Sequence, residues 1–369
     1  MCNFFSFPPA VGGGIESLED FWYIWLMKII NSEDIIARVI AEYKGVYKVK
    51  NADRTYLAKV TGKRIFEATS REDYPAVGDW VEIIMADKEN AVIQKVLPRK
   101  TMLKRKSSNK NESQVIATNI DVAFVIESVD RDFSLNRFER YFALARDGGV
   151  DVAIVLNKID LITQETLERL LVQIKNRFKN IDAIPTSTAT DKGLANLKKH
   201  IVKDKTYCFL GSSGVGKSSL INKLLGKGIL RTEDISAHSG KGKHVTTKRE
   251  MYFLENGGIV IDNPGMREVG MIDNLVGIND LFDEIANLAD ECKYKDCAHA
   301  QESGCAVLVA LKSGKLDKEK YSNYLRLKKE AEFYELTDLE RKGKDRDFGE
   351  FVKKAKKDLS DFGHKDYGR

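Results

Sequence analysis

The chain has 369 residues, 43% of them hydrophobic and 31% charged, which gives room for two or three domains with a sizeable core. Its 60 basic and 55 acidic residues leave a net charge of only +5. Total charge is therefore no argument for a nucleic-acid partner, and only local clusters can supply one. No internal repeat or low-complexity tract interrupts the sequence.

Residues 1–34 read as an N-terminal extension of unknown role. The apolar run Phe21–Met27 is too short to span a bilayer. Glu16, Glu19 and Asp20 precede it where an export signal would carry positive charge. The expectation is a cytoplasmic protein that makes no contact with a membrane. Met27-Lys28-Ile29-Ile30 resembles a natural start, so residues 1–26 read as an over-called extension.

Residues 35–110 read as a β-barrel and a basic linker. Short β-branched runs at 36–42, 46–49, 55–60, 79–85 and 91–97 are separated by turn signals such as Lys44-Gly45 and Val77-Gly78. Five such strands suit an OB-type Greek-key barrel, an architecture that commonly binds nucleic acid. Arg99, Lys100, Lys104, Arg105, Lys106 and Lys110 come next without one acid. That stretch is either a linker that touches RNA phosphates or a solvated one.

Residues 111–275 carry nucleotide-site signals in an unusual order. Val152–Leu156 is an unbroken apolar run of buried parallel-strand type. It delivers Asn157-Lys158-Ile159-Asp160, an N-K-x-D sequence, to a strand's carboxyl end, where open α/β sheets bind ligands. The Asp160 carboxylate would accept from guanine N1–H and the exocyclic amine, a donor pair that adenine lacks. The Asn157 amide would hold the loop and Lys158 would lie over the base. Ser187 and Thr188 fit the loop whose backbone N–H meets guanine O6, although alanine is usual where Thr188 stands.

The phosphate loop comes only afterwards, as Gly211-Ser212-Ser213-Gly214-Val215-Gly216-Lys217-Ser218 with Ser219 next. Its glycines let successive N–H groups face a phosphate, and the helix starting near Lys217 adds its positive end. Lys217 would reach the β- and γ-phosphates, and the Ser218 hydroxyl would ligate Mg²⁺. The strand Thr206–Leu210 and an apolar-faced helix from Ser219 to Leu225 give the motif its context, with Cys208 in the core. Gly242–Thr247 resembles a first switch loop whose Thr247, or alternatively Thr246, caps the metal. Asp262-Asn263-Pro264-Gly265 is a D-x-x-G in which Asp262 would hold Mg²⁺ through water and the Gly265 N–H would sense the γ-phosphate. The base motif thus precedes the phosphate loop, the order of a circularly permuted GTPase domain. A linker at 190–194 and a helix over 195–202 would join the old termini. Met266 stands where many GTPases place a water-orienting Gln, so unaided turnover should be slow. His244, or a group on a partner, would supply the missing function.

Residues 276–340 read as a zinc-binding, mostly helical domain. Cys292, Cys297, His299 and Cys305 form a Cys₃His set suited to one closed structural zinc site, with disulfides as the competing chemistry. A charge-rich helix is expected over 317–335. The tail, 341–369, holds ten Lys/Arg against six Asp/Glu, either folding on RNA or remaining disordered.

Taken together, these motifs resemble the RsgA family, the circularly permuted GTPases of bacterial small-ribosomal-subunit maturation. The resemblance covers about residues 36–335 and rests on Gly78-Asp79-Trp80-Val81, the N-K-x-D before the P-loop, the Gly-Lys-His-x-Thr-Thr loop, Asp-x-Pro-Gly and the cysteine cluster. Asn263 and Val245 depart conservatively from its usual threonines. The resemblance implies an OB barrel, a permuted P-loop GTPase domain and a zinc-binding helical domain. It further implies a GTPase, acting as a monomer, that binds the small ribosomal subunit and its rRNA with GTP and leaves after hydrolysis to GDP. An alternative on the residues alone is a nucleotide-gated RNA-binding module acting on a different RNA or protein complex.

Overall fold

The computed structural model describes residues 35–43, 45–62, 68, 70–107, 110–130, 133–226, 228, 249–262 and 275–335. Among these, the first strands are β1 (Ile35–Tyr43), β2 (Val46–Lys50), β3 (Thr55–Val60), β4 (Trp80–Met85) and β5 (Asn90–Val96). They close in the order β1-β2-β3-β5-β4 with β4 returning to β1, all antiparallel except the parallel β3–β5 pair. This is the five-stranded barrel expected from the alternation, with strand ends within a residue or so of the sequence reading. Ala37, Val39, Tyr47, Val49, Tyr56, Ala58, Val81 and Ile93 fill its interior.

One irregularity ties the barrel to a neighbouring core. The β1–β2 register shifts between Val39 and Ala41, and the intervening Ile40 packs with Val77, Leu103 and Ile116 outside the barrel. A bulge turns a side chain out of the pleat's alternation, which lets one strand serve two cores.

The basic linker is not a linker. It forms a hairpin of β6 (Met102–Ser107) and β7 (Lys110–Thr118). Arg99 is engaged within the protein. Its guanidinium grips the fully buried Asp79 carboxylate with two bonds of 2.8 Å, and it donates to the Glu72 and Tyr74 carbonyls. A planar fork matched to a carboxylate is the geometry of a structural ion pair. Lys104 lies 3.6 Å from Glu72, and Lys100 4.0 Å from Asp121.

The nucleotide-site segment adds β8 (Val122–Ser128), α1 (Leu135–Asp147), β9 (Asp151–Asn157), α2 (Gln164–Arg177), β10 (Ala183–Pro185), α3 (Leu194–Lys199), β11 (Thr206–Leu210), α4 (Lys217–Leu225), β12 (Arg249–Phe253) and β13 (Ile259–Asp262). The strands run β10-β9-β8-β11-β13-β12, parallel except for β12. Both faces are buried. Phe138, Phe142, Leu167 and Ile174 cover one, and Leu197, Leu220, Ile221 and Leu224 cover the other. Because β12 also pairs with β1 through Glu42 and Arg249, barrel and parallel strands form one eleven-stranded sheet.

Contacts divide the described residues into two compact units. One takes the residues up to 262 with Val276–Asn287; the other takes Leu275 and the chain from Leu288. Four more helices are α5 (Leu275–Leu281), α6 (Asp283–Asp290), α7 (Ala306–Lys312) and α8 (Lys318–Glu335). No helix among the described residues is long and apolar enough to cross a membrane.

Candidate functional site

The phosphate loop leaves β11, every residue of which is buried, and re-enters the fold at the first turn of α4. Gly211, Gly214 and Gly216 hold φ of 152°, 82° and 100°. Two of them are also closely approached: a Cβ on Gly211 would stand 2.4 Å from the Ile126 carbonyl, and one on Gly216 2.3 Å from the Asn157 amide nitrogen. Only glycine meets both demands. Ser213 and Gly214 face solvent, Val215 is buried, and Ser218 and Ser219 lie half-buried in the first turn of α4.

Lys217 folds back over its own loop, donating to the Gly211 carbonyl at 2.8 Å and the Ser212 carbonyl at 2.7 Å. Burial lowers its pKa to about 8, against the pull of Asp262 and Glu127, which favour its charge. Asp262, at the end of β13, is pushed up to about 6 by burial, against the pull of Lys217. Both groups are thus poorly hydrated charges beside one loop, a setting in which a phosphate and a divalent cation gain strongly.

The N-K-x-D segment is tied to this loop. Asn157 is fully buried, donates to the Val215 carbonyl at 2.8 Å and accepts from the Thr186 hydroxyl at 3.1 Å. The Ser187 hydroxyl donates to the Asp160 carboxylate at 2.5 Å and accepts from the Thr190 N–H at 3.1 Å. That orients the carboxylate on a tight turn, Ile159–Leu161, next to the half-buried Thr188. A cleft of about 650 Å³ opens beside Asp160, lined also by Ile162, Leu167, Thr190 and Lys192. Lys158 is left-handed at φ 62° and ion-paired to Asp130 at 2.8 Å. The expected base and phosphate residues therefore meet along one edge of the sheet. Thr247, Thr246, His244 and Gly265 lie outside the described residues.

The second cluster is compact. The ligand atoms of Cys292, Cys297, His299 and Cys305 all lie within 4.8 Å of one another. The Cys292 and Cys305 sulfurs are 3.8 Å apart, and each is 3.6 Å from His299 Nδ1. A disulfide needs sulfurs about 2 Å apart. Tetrahedral coordination with metal–sulfur bonds of about 2.3 Å puts ligand atoms about 3.8 Å apart, so the residues fit a metal ion. His299 is itself left-handed at φ 61°, with the Tyr321 hydroxyl on its carbonyl at 2.6 Å.

The sequence model of the RsgA GTPase family matches residues 96–272. A protein of Bacteroides thetaiotaomicron named small ribosomal subunit biogenesis GTPase RsgA 1 is 37% identical over 327 residues, covering 88% of this chain and 91% of that one. The Lactiplantibacillus plantarum protein of the same name, RsgA 2, is 39% identical over 302 residues, covering 82% and 85%. The chain belongs to the RsgA GTPase family. Among solved structures, YjeQ from Thermotoga maritima aligns with a TM-score of 0.60 at 24% identity, covering 81% of this chain and 98% of that one. YloQ, a circularly permuted GTPase, aligns at 0.58 and 23%, covering 82% and 96%. At those identities the likeness speaks for the fold, and it agrees with the permuted order of this RsgA domain.

Three residues around the site escaped the motifs. Glu127, fully buried at the end of β8, takes Arg137 of α1 at 2.8 Å. Tyr141 of α1 is hydrogen-bonded to the Ser212 side chain, and Asp130 holds Lys158. The only sequence sign was an acid closing the apolar run Val122–Ile126.

Proposed function

We propose that this RsgA-family chain hydrolyses GTP to GDP and phosphate, and binds the small ribosomal subunit and its rRNA in the GTP state. On this reading it assists late maturation there and leaves after hydrolysis. The single observation that carries the GTPase reading is the Asn157 bridge, which locks the guanine-side turn onto the phosphate loop. The printed names of the curated relatives supply the ribosomal half of the reading.

Asp160, oriented by Ser187, accepts the two guanine donors and so rejects adenine. Lys217 exchanges the Gly211 and Ser212 carbonyls for phosphate oxygens, which relieves a charge now held among neutral acceptors. N–H groups of the loop from Gly211 to Ser219 bind the remaining oxygens. Mg²⁺ supplies charge neutralisation at the β- and γ-phosphates when bound. Ser218 and Thr247 would hold it directly and Asp262 through water. The Gly265 N–H would sense the γ-phosphate, with His244 or a ribosomal group orienting water. Cys292, Cys297, His299 and Cys305 would hold one structural Zn²⁺, which leaves no open position for chemistry.

In this reading the barrel and basic segment over 35–110, the GTPase domain over 111–275 and the zinc domain over 276–340 are the working parts of a cytoplasmic monomer. The test is GTP turnover by the protein alone, with small subunits and with large subunits at matched Mg²⁺. Slow turnover alone and strong stimulation by small subunits only is the expected result. Equal turnover in all three would point to a nucleotide-gated module with another partner.

A further inference from the structure

The strand order puts β8 between the two halves of the nucleotide site. β9 and β10 deliver Asp160 and Ser187, β11 delivers the phosphate loop, and β8 is hydrogen-bonded between β9 and β11. A guanosine with its base at Asp160 and its phosphates on the loop therefore crosses the carboxyl end of β8. There Ser128 stands in register with Asn157, and the Val129 N–H donates to the Asn157 carbonyl at 3.1 Å. One residue further, Asp130 takes the Lys158 ammonium at 2.8 Å.

The side chains of the pair are partly shielded from water, although Asp130 as a whole residue is exposed. The Lys158 side chain is 20% exposed and that of Asp130 19%, and the Ser128 hydroxyl gives the carboxylate a further hydrogen bond. Lys158 is also the residue that opens the turn carrying Asp160, with a backbone at φ 62° and ψ 34° that few non-glycine residues hold. Its backbone is set by the turn and its far end by Asp130, so both ends of the stem are fixed before any ligand arrives. An unpinned lysine loses much of its rotamer freedom when a ligand orders it. Ordering that precedes binding no longer counts against affinity.

We propose that Asp130 is a positioning residue for guanosine recognition: it holds the Lys158 stem as a preformed wall for the nucleoside half of GTP and GDP. The inference rests on the GTP-site reading above. Asp130 acts on the nucleoside side, so its contribution is the same for the diphosphate and the triphosphate.

The experiment is calorimetric titration of the full chain with GDP, and with a non-hydrolysable GTP analogue, for the wild type, D130N, K158M and the double variant. Methionine keeps an apolar stem and removes the ammonium. The expected result is a loss of about three- to tenfold for D130N, equal for both nucleotides, and no further loss when D130N is added to K158M. Wild-type affinity in D130N would overturn the proposal. So would an equal loss in both backgrounds, which would make Asp130 a general support of the loop. A wild type that binds neither nucleotide would remove the GTPase reading itself.

Discussion

Gly216 carries two constraints at one atom. Its φ of 100° disfavours any side chain, and an added Cβ would stand 2.3 Å from the amide nitrogen of Asn157, which is hydrogen-bonded to the Val215 carbonyl. Gly216→Ala should therefore break the link between base turn and phosphate loop and lower GDP affinity at least about tenfold, beyond roughly 1–2 kcal/mol of backbone strain. Gly226, which ends α4 at φ 66° with nothing within 4 Å of an added Cβ, is the matched control. Gly226→Ala should cost about 1 kcal/mol of stability and leave GDP affinity unchanged, as thermal melts with and without GDP would show. Lys217 adds a pH signature. Burial has lowered its folded pKa to about 8, below that of the unfolded chain, so its charge weighs against the empty fold throughout the neutral range. Its stabilising contribution is full above the unfolded value and is lost as pH falls through about 8. Between pH 8 and 10 the nucleotide-free wild type should gain Tm relative to Lys217→Met; a constant difference would contradict the buried charge.

The joint between barrel and hairpin depends on one carboxylate. Asp79 accepts from Arg99 twice, from the Thr118 hydroxyl at 2.6 Å and from the Ala76 N–H at 2.8 Å, and none of it is exposed. Gly78 before it, at φ 102°, lets the Thr118 carbonyl approach to where a Cβ would stand only 2.0 Å away. Asp79→Asn would leave the Arg99 guanidinium with neutral acceptors and no counter-charge, and should cost about 3–5 kcal/mol in urea unfolding with an unchanged m-value. This joint also marks how far the sequence could be read. The barrel strands were legible because a two-residue alternation is local, and the phosphate loop because its glycines and lysine fall within eight positions. The hairpin was not legible: a run of cations reads as a linker, solvated or touching phosphates, and nothing local shows that Asp79, twenty residues before Arg99, takes the first of them. The β1–β12 pairing of Glu42 with Arg249 and the Asp130–Lys158 pair were hidden for the same reason. Partners distant in sequence leave no periodic trace.

At the scale of the whole molecule, each of the two units stabilises its own fold by a different means. The first has two cores flanking the strands of the nucleotide-site segment and a third inside the barrel, and β12, which would otherwise be an exposed edge, is covered by β1. The second has far less to bury. Val307, Leu316, Tyr324, Leu327 and Ala331 are its main buried apolar side chains beside the cysteines, along a chain running from Leu288 to Glu335. So short a segment rarely folds on hydrophobic burial alone, and metal ligation contributes folding free energy directly where ligands are gathered by the fold. The Cys292, Cys297, His299 and Cys305 cluster is placed to do that, because it ties the loop before α7 to the start of that helix, with Tyr321 of α8 on the His299 carbonyl. Purified protein should carry one zinc ion per chain. Stripping it with a strong chelator under reducing conditions should remove the helical circular-dichroism signal of α7 and α8, while GDP affinity, which belongs to the first unit, stays within about twofold of the untreated protein. Adding zinc back should restore the signal, and Cys305→Ser should mimic the stripped state. Full helicity after verified loss of the metal would mean that α7 and α8 fold without it and that the cluster serves a purpose other than structure.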